Sequence, residues 1–183
     1  MSIVITGNPG VGKHTIAQEI IKNQDYDLID INEIAIKSNH VEISDNYVEV
    51  DVEALRKDIK SMISKKSLIV GHLAPYVLSK PDVSFAIILR RSPYKLVQVY
   101  EKRGYSEDKI KENVGSEIIG IITYDVIAEF GNEKTFQIDV TEKTPKVVAE
   151  RIQNIIQKQN HGDEIDWLSE IKQNDDFQKF FDY

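Results

Sequence analysis

Five short runs of apolar, mostly β-branched residues punctuate the chain, at 2–6, 27–31, 67–70, 83–89 and 135–140. Runs of this length, bounded by polar and glycine-containing segments, predict strands. The run 83–89 (VSFAIIL) is apolar almost throughout, the pattern of a strand covered on both faces, and is expected to be a central strand of a parallel sheet. Between the runs, apolar residues return every three or four positions. This spacing predicts helices over 13–22, over 52–65, where Leu55, Ile59 and Met62/Ile63 share a face, and over 144–159, with a helical turn or two at 32–38. Ser92-Pro93 and Thr144-Pro145 each read as an N-cap followed by proline at the first helical position, and the helix opened by the former is expected to end near Arg103-Gly104. One long helix is predicted over 106–130, with Ile110, Val114, Ile118, Ile121/Ile122 and Val126 as its stripe and Glu117 and Asp125 on or beside it. Strands alternating with helices imply an α/β fold, a parallel sheet with helices on both faces.

The first strand leads directly into Gly7-Asn8-Pro9-Gly10-Val11-Gly12-Lys13, which fits the G-x-x-x-x-G-K frame and opens a predicted helix. Glycines let backbone N–H groups turn inward around phosphate oxygens. The helix N-terminus adds its positive end, and Lys13 can reach the β and γ phosphates. The frame then calls for Ser or Thr, whose hydroxyl ligates Mg²⁺, but His14 stands there, followed by Thr15. Imidazole is a poor substitute on a hard, oxygen-preferring cation. Mg²⁺ is therefore expected to be held by the nucleotide phosphates, water and a more distant carboxylate, with no dedicated metal residue. His14 either offers only its backbone N–H to phosphate or uses its ring, and Thr15 can serve the α-phosphate.

Composition narrows the alternatives. The 183 residues suit one domain with a full core, no run approaches the ~18–20 apolar residues of a membrane span, and there is no cysteine for a disulfide or thiolate site. Membrane insertion is not expected. The N-terminus carries no basic leader, so a cytoplasmic protein is expected. With 23 Lys plus Arg against 30 Asp plus Glu the net charge is −7, which argues against a generic or sequence-specific nucleic-acid binder. The charge is local: residues 161–183 carry seven acids against two lysines, whereas 80–111 carry eight basic residues against four acids. Phosphoryl transfer needs such cations around the transferring group.

The loop Gly7–Thr15 resembles that of adenylate kinases. The segment LVQVYEKRGYSEDKIKENVGSEI (96–118), with Arg103-Gly104-Tyr105, resembles the lid region of the nuclear-type adenylate kinase family, the sixth isoenzyme in humans with archaeal and yeast relatives. The likeness covers residues 1 to about 158. It implies a P-loop kinase-like three-layer sandwich with a five-stranded parallel sheet, a short lid at about 102–113 and a small nucleoside-monophosphate region at about 30–54. It also implies ATP and AMP as substrates, two ADP as products, ATPase activity, and binding to a platform ribosomal protein during small-subunit maturation. Carried over residue by residue, Lys13, Arg90 at the end of the central strand, Arg103 and His72 are the catalytic candidates. Gly7, Asn8, Pro9, Gly10, Val11, Gly12, Lys13, His14, Thr15 and Arg103 are the candidates for holding ATP.

Alternatives stay open at several of these positions. Arg103 beside the Gly104 hinge is a lid cation or a basic helix end meeting its own dipole, with Tyr105 supplying a flat face or a hydroxyl. Arg91 is read as exposed. His72 contacts phosphate or water, or caps a loop. Glu117 orients a lid arginine or forms a structural ion pair. Two departures from the family pattern, Val99 for an arginine and Val70 for an acid two residues before His72, point to slow turnover. The acidic stretch 30–54 offers only Lys37 as a cation, so Arg56 or Arg90 must meet the acceptor phosphate unless that surface serves a basic protein. An ATP-gated assembly factor with little AMP kinase turnover is the alternative function, and a small-molecule kinase such as a shikimate-type enzyme shares the fold. The tail, 161–183, holds Trp167, Phe177, Phe180, Phe181 and Tyr183, with Ile165, Leu168 and Ile171 at helical spacing. It is expected to form an amphipathic helix docking either on its own body or on a basic partner.

Overall fold

The computed structural model describes residues 2–43, 48–158 and 161–181. Asp45, Asp182 and Tyr183 of the acidic stretches above lie outside them. In chain order the elements are β1 (Ile3–Thr6), α1 (Lys13–Ile21), β2 (Asp27–Asp30), α2 (Ile31–Lys37), β3 (Val41–Ile43), β4 (Val48–Val50), α3 (Val52–Met62), β5 (Ser67–Val70) and α4 (Ala74–Val77). They continue with β6 (Phe85–Arg90), α5 (Pro93–Lys102), α6 (Glu107–Ile119), α7 (Ile121–Phe130), β7 (Thr135–Asp139), α8 (Pro145–Lys158), α9 (Trp167–Gln173) and α10 (Phe177–Phe180).

Five strands form one parallel sheet in the order β2-β5-β1-β6-β7. The side-chain period of a strand divides its apolar residues between the two faces. Ile3, Ile5, Leu68, Val70, Ile87 and Leu89 face one core shared with Ile16, Leu96 and Ile152 of α1, α5 and α8. Val4, Ile69, Ala86 and Ile88 face the other, shared with Leu55, Ile59 and Val126 of α3 and α7. This is the three-layer α/β sandwich implied by the sequence. β6 is an interior strand, as its apolar run predicts, paired with β1 on one side and β7 on the other, while β1 is the middle strand of the five. The chain leaves β1 for strands on both sides, and ligands bind at such a switch point beyond the carboxyl ends of the strands.

Three features depart from the pattern reading. The predicted helix 106–130 is two helices, because Gly120 takes a left-handed backbone (φ +71°) that ends α6 and starts α7. The region after α2 carries a two-stranded antiparallel hairpin, β3 with β4. The tail does form helices, but its buried residues are Trp167, Ile171 and Phe180, while Leu168 is exposed. Its helices pack on α6. Tyr94 of α5 meets Phe180 edge-on at 5.1 Å and donates to Asp176 Oδ2 at 2.8 Å. The tail is therefore docked on its own body.

Candidate functional site

The loop between β1 and α1 follows directly from its glycines. Gly7 has φ +136°, and a Cβ there would lie 2.4 Å from the Leu89 carbonyl oxygen, so only glycine lets the loop pass the end of β6. Gly12, with φ +98°, faces open space at the start of α1. Lys13, the first helical residue, is buried and turns back to donate from Nζ to the carbonyls of Gly7 and Asn8, both at 2.9 Å. Burial, aided by the charge of Arg103, lowers its pKa to about 8.

In front of this loop lies a cleft of about 370 Å³ lined by Pro9, Gly10, Gly12, Lys13, His14, Thr15, Asn32, His72, Arg103 and Tyr105. That volume lies in the range of small-ligand sites. Four elements supply these residues: the β1–α1 loop, the start of α2, the turn after β5 and the α5–α6 junction. Lys13, His72 and Arg103, far apart in sequence, thus meet in one place. Burial and the neighbouring Lys13 lower the His72 pKa, which keeps its ring neutral near neutral pH. Arg103 caps α5 and Gly104 turns the chain with φ +69°. Tyr105 stacks on Tyr100 at 5.3 Å with ring planes 7° apart, and the Tyr100 hydroxyl donates to the Pro9 carbonyl at 2.6 Å. The arginine-bearing turn is thereby tied to the phosphate loop.

Arg90 is not part of this cleft, which corrects its placement among the catalytic candidates. It is 3% exposed, and its donors are taken by Glu117 Oε1 (2.7 Å), the Glu117 carbonyl (2.6 Å), Thr123 Oγ1 (3.0 Å) and Gln137 Oε1 (2.5 Å). A buried guanidinium needs such pairing, which here occupies four of its five N–H groups with protein acceptors. Its neighbour Arg91, read as exposed, donates to the Gly10 carbonyl at 3.0 Å. Glu117 is the structural partner of Arg90, not of Arg103, and has no exposure. Arg56, the other cation considered for the acceptor phosphate, does not line this cleft either. It bridges from α3 to the Tyr76 carbonyl at 2.6 Å, a few residues beyond His72, with its side chain 46% exposed.

The His14 ring is engaged. Its Nε2 lies 2.5 Å from Asp30 Oδ2, while Oδ1 of the same carboxylate caps α2 by accepting from the N–H groups of Asn32 and Glu33. In the sheet, Asp30 pairs in register with Val70, the position where an acid is missing. Sequence reasoning assigned Asp30 only to an acidic stretch; its place as the last residue of the second strand is the signal that could have singled it out. Asn32 was missed with it. Among the described residues no group of three or more His, Cys, Asp or Glu could hold a metal ion alone. One oxygen-bearing acid beside the phosphate loop fits Mg²⁺ carried on a nucleotide and bound through water.

A family model described as an AAA domain matches residues 3–120. The chain is 34% identical over 172 residues to a protein of Sulfurisphaera tokodaii named "Putative adenylate kinase", covering 92% of this chain and 87% of that one. It is 32% identical over 159 residues to the protein of the same name from Thermococcus kodakarensis, covering 86% of each. Among solved structures, shikimate kinase from Acinetobacter baumannii in complex with shikimate superimposes with a TM-score of 0.60 over 87% of this chain and 94% of that one; at 15% identity the likeness is one of fold.

Proposed function

The chain belongs to the P-loop nucleoside-monophosphate kinase family and is a nucleotide kinase, and from that premise we propose that it transfers the γ-phosphoryl group of ATP to AMP. The observation that carries this reading is the meeting of Lys13, His72 and Arg103 in one cleft at the mouth of a complete phosphate loop.

In this reading the loop N–H groups and the start of α1 bind the phosphates, and Lys13 exchanges the carbonyls of Gly7 and Asn8 for β and γ oxygens. Arg103 meets the charge that builds on the transferring group. Neutral His72 accepts a hydrogen bond from, or donates one to, the acceptor phosphate or a water, and Arg56 binds that phosphate from the α3 side. Thr15 serves the α-phosphate. Mg²⁺ carried in with ATP would supply charge neutralisation on the phosphates. Asp30, steadied by His14, is the residue that would hold its water shell.

Phosphoryl transfer to water is proposed as the side reaction. Val99 and Val70 replace two groups of the family pattern, which favours slow turnover. A link to small-subunit maturation and a platform ribosomal protein is supported by the resemblance of 96–118 alone. The tail whose charge suggested a basic partner buries Trp167 and Phe180 against the body. A coupled assay of ADP formation tests the reading: ATP with AMP should yield ADP much faster than ATP alone. Equal rates leave ATP hydrolysis as the activity and sink the transfer to AMP.

A further inference from the structure

The C-terminal tail reaches the phosphate loop through one buried carboxylate. Glu117, in the last turn of α6, has no solvent exposure, and its carboxylate accepts from four protein N–H groups. Oε1 accepts from Arg90 Nε at 2.7 Å, from the Trp167 indole Nε1 at 3.0 Å and from the Arg91 backbone N–H at 3.2 Å. Oε2 accepts from Asn8 Nδ2 at 2.6 Å. Asn8 is itself buried, its Oδ1 accepts from Ser116 Oγ at 3.2 Å, and its carbonyl is one of the two that hold Lys13 Nζ.

We propose that Trp167 is a positioning residue for the phosphate loop, acting through Glu117 on Asn8 and thence on Lys13. A carboxylate is rigid and planar, so the donors on one oxygen fix the direction of the other. Removing the indole N–H takes away one of the three donors that aim Oε1, leaving only Arg90 Nε and the Arg91 N–H to hold it, and the group relaxes by rotating or sliding toward Arg90. Either movement re-aims Oε2 and, with it, the Asn8 amide. The acidic character of the tail plays no part in this. What the tail delivers is a single N–H, placed by the packing of Trp167 and Ile171 on α6. The inference rests on the reading of Gly7–Thr15 as the nucleotide site, and it adds a dependence of that site on a segment outside the family model's match.

The full chain serves for the test. Binding of N-methylanthraniloyl-ATP with Mg²⁺, and thermal unfolding, are measured for the wild type, Trp167→Phe, Asn8→Ala and the double variant. Phenylalanine keeps a ring in the pocket and loses only the N–H and part of the bulk. Trp167→Phe should weaken binding by roughly tenfold, the lower end of what one hydrogen bond to a charged group is worth. It should weaken binding no further once Asn8 is alanine. Unchanged affinity with a lower unfolding temperature would make Trp167 a merely structural residue, and a full loss that persists in the Asn8→Ala background would break the relay. Trp167 is the only tryptophan, so its own emission gives a second reading on the wild type: saturation with Mg-ADP should change it, and constant emission overturns the coupling. A wild type that binds no nucleotide analogue fells the site assignment itself, whereas a wild type and Trp167→Phe that bind equally well fell only this proposal.

Discussion

Asp30 Oδ2 lies 2.5 Å from the Nε2 of His14, and Asp30 stands in register with Val70 on the neighbouring strand. The hydroxyl that the loop frame places after its lysine and the acid that the family pattern places before His72 are both absent from this chain. Asp30 joins those two positions, touching His14, which stands at the first and lines the cleft, and pairing in register with Val70 at the second. A carboxylate one strand away from the missing one can still reach water on a nucleotide-bound cation, and the imidazole fixes its orientation.

Replacing Asp30 by Asn should therefore raise the Mg²⁺ concentration needed for half-maximal binding of N-methylanthraniloyl-ATP. The expected shift is about 10- to 100-fold, the range found when groups supporting a metal site are removed. Binding of the analogue without Mg²⁺ should change little. A requirement identical to that of the wild type would show that Asp30 only caps α2.

Nucleotide affinity should depend on pH through Lys13. Its pKa in the free protein is about 8, below the ordinary value of 10.5, so it is charged below pH 8 and neutral above it. Phosphate binds the charged form, and affinity should hold level below pH 8 and fall above it, approaching tenfold per unit. By the same linkage the unfolded chain binds more protons between pH 8 and 10.5, so the nucleotide-free fold gains stability across that window. Isothermal titration of ATP against pH checks the first statement. Lys13→Ala should lower turnover by roughly 10²-fold or more at any pH.

Arg56→Ala is expected to act on the acceptor alone. The KM for AMP should rise by roughly an order of magnitude, the scale of one charge-assisted hydrogen bond, while the KM for ATP stays as it was. Steady-state kinetics with each substrate varied in turn would separate the two. An equal change in both constants would remove Arg56 from the acceptor side.

Arg90→Met should destabilise the fold by about 3–5 kcal/mol, because it strands the fully buried Glu117 carboxylate without its cation. Chemical denaturation measures this directly. Arg90→Met combined with Glu117→Leu should recover much of the loss, since an apolar pair of similar volume leaves no buried charge. A variant with wild-type stability and lost turnover would instead return Arg90 to the catalytic groups.

The local rules held where the chain decides its conformation over a few residues. Continuous apolar runs gave β1, β5 and β6, the Pro93 and Pro145 starts gave α5 and α8, and the spacing Gly7 to Lys13 specified the loop and its chemistry. Gly120 escaped because its apolar stripe continues on both sides, and periodicity does not register one residue turned left-handed. The strands β3 and β4 are three residues each, too short for their alternation to announce itself.

What the residues by themselves determined is thus the sheet, the phosphate loop and the family. Which cations face the cleft was a matter of packing. Arg90, Arg91 and Arg103 are equally basic in one dimension; only the folded chain encloses the first with Glu117, binds the second to Gly10 and opens the third to the cleft. The acidic tail shows the same division. Its charge is a property of composition, but its attachment is decided by the burial of Trp167, Ile171 and Phe180 against the body, and its link to the loop by one indole N–H reaching a buried carboxylate 50 positions away, contacts that no local pattern encodes.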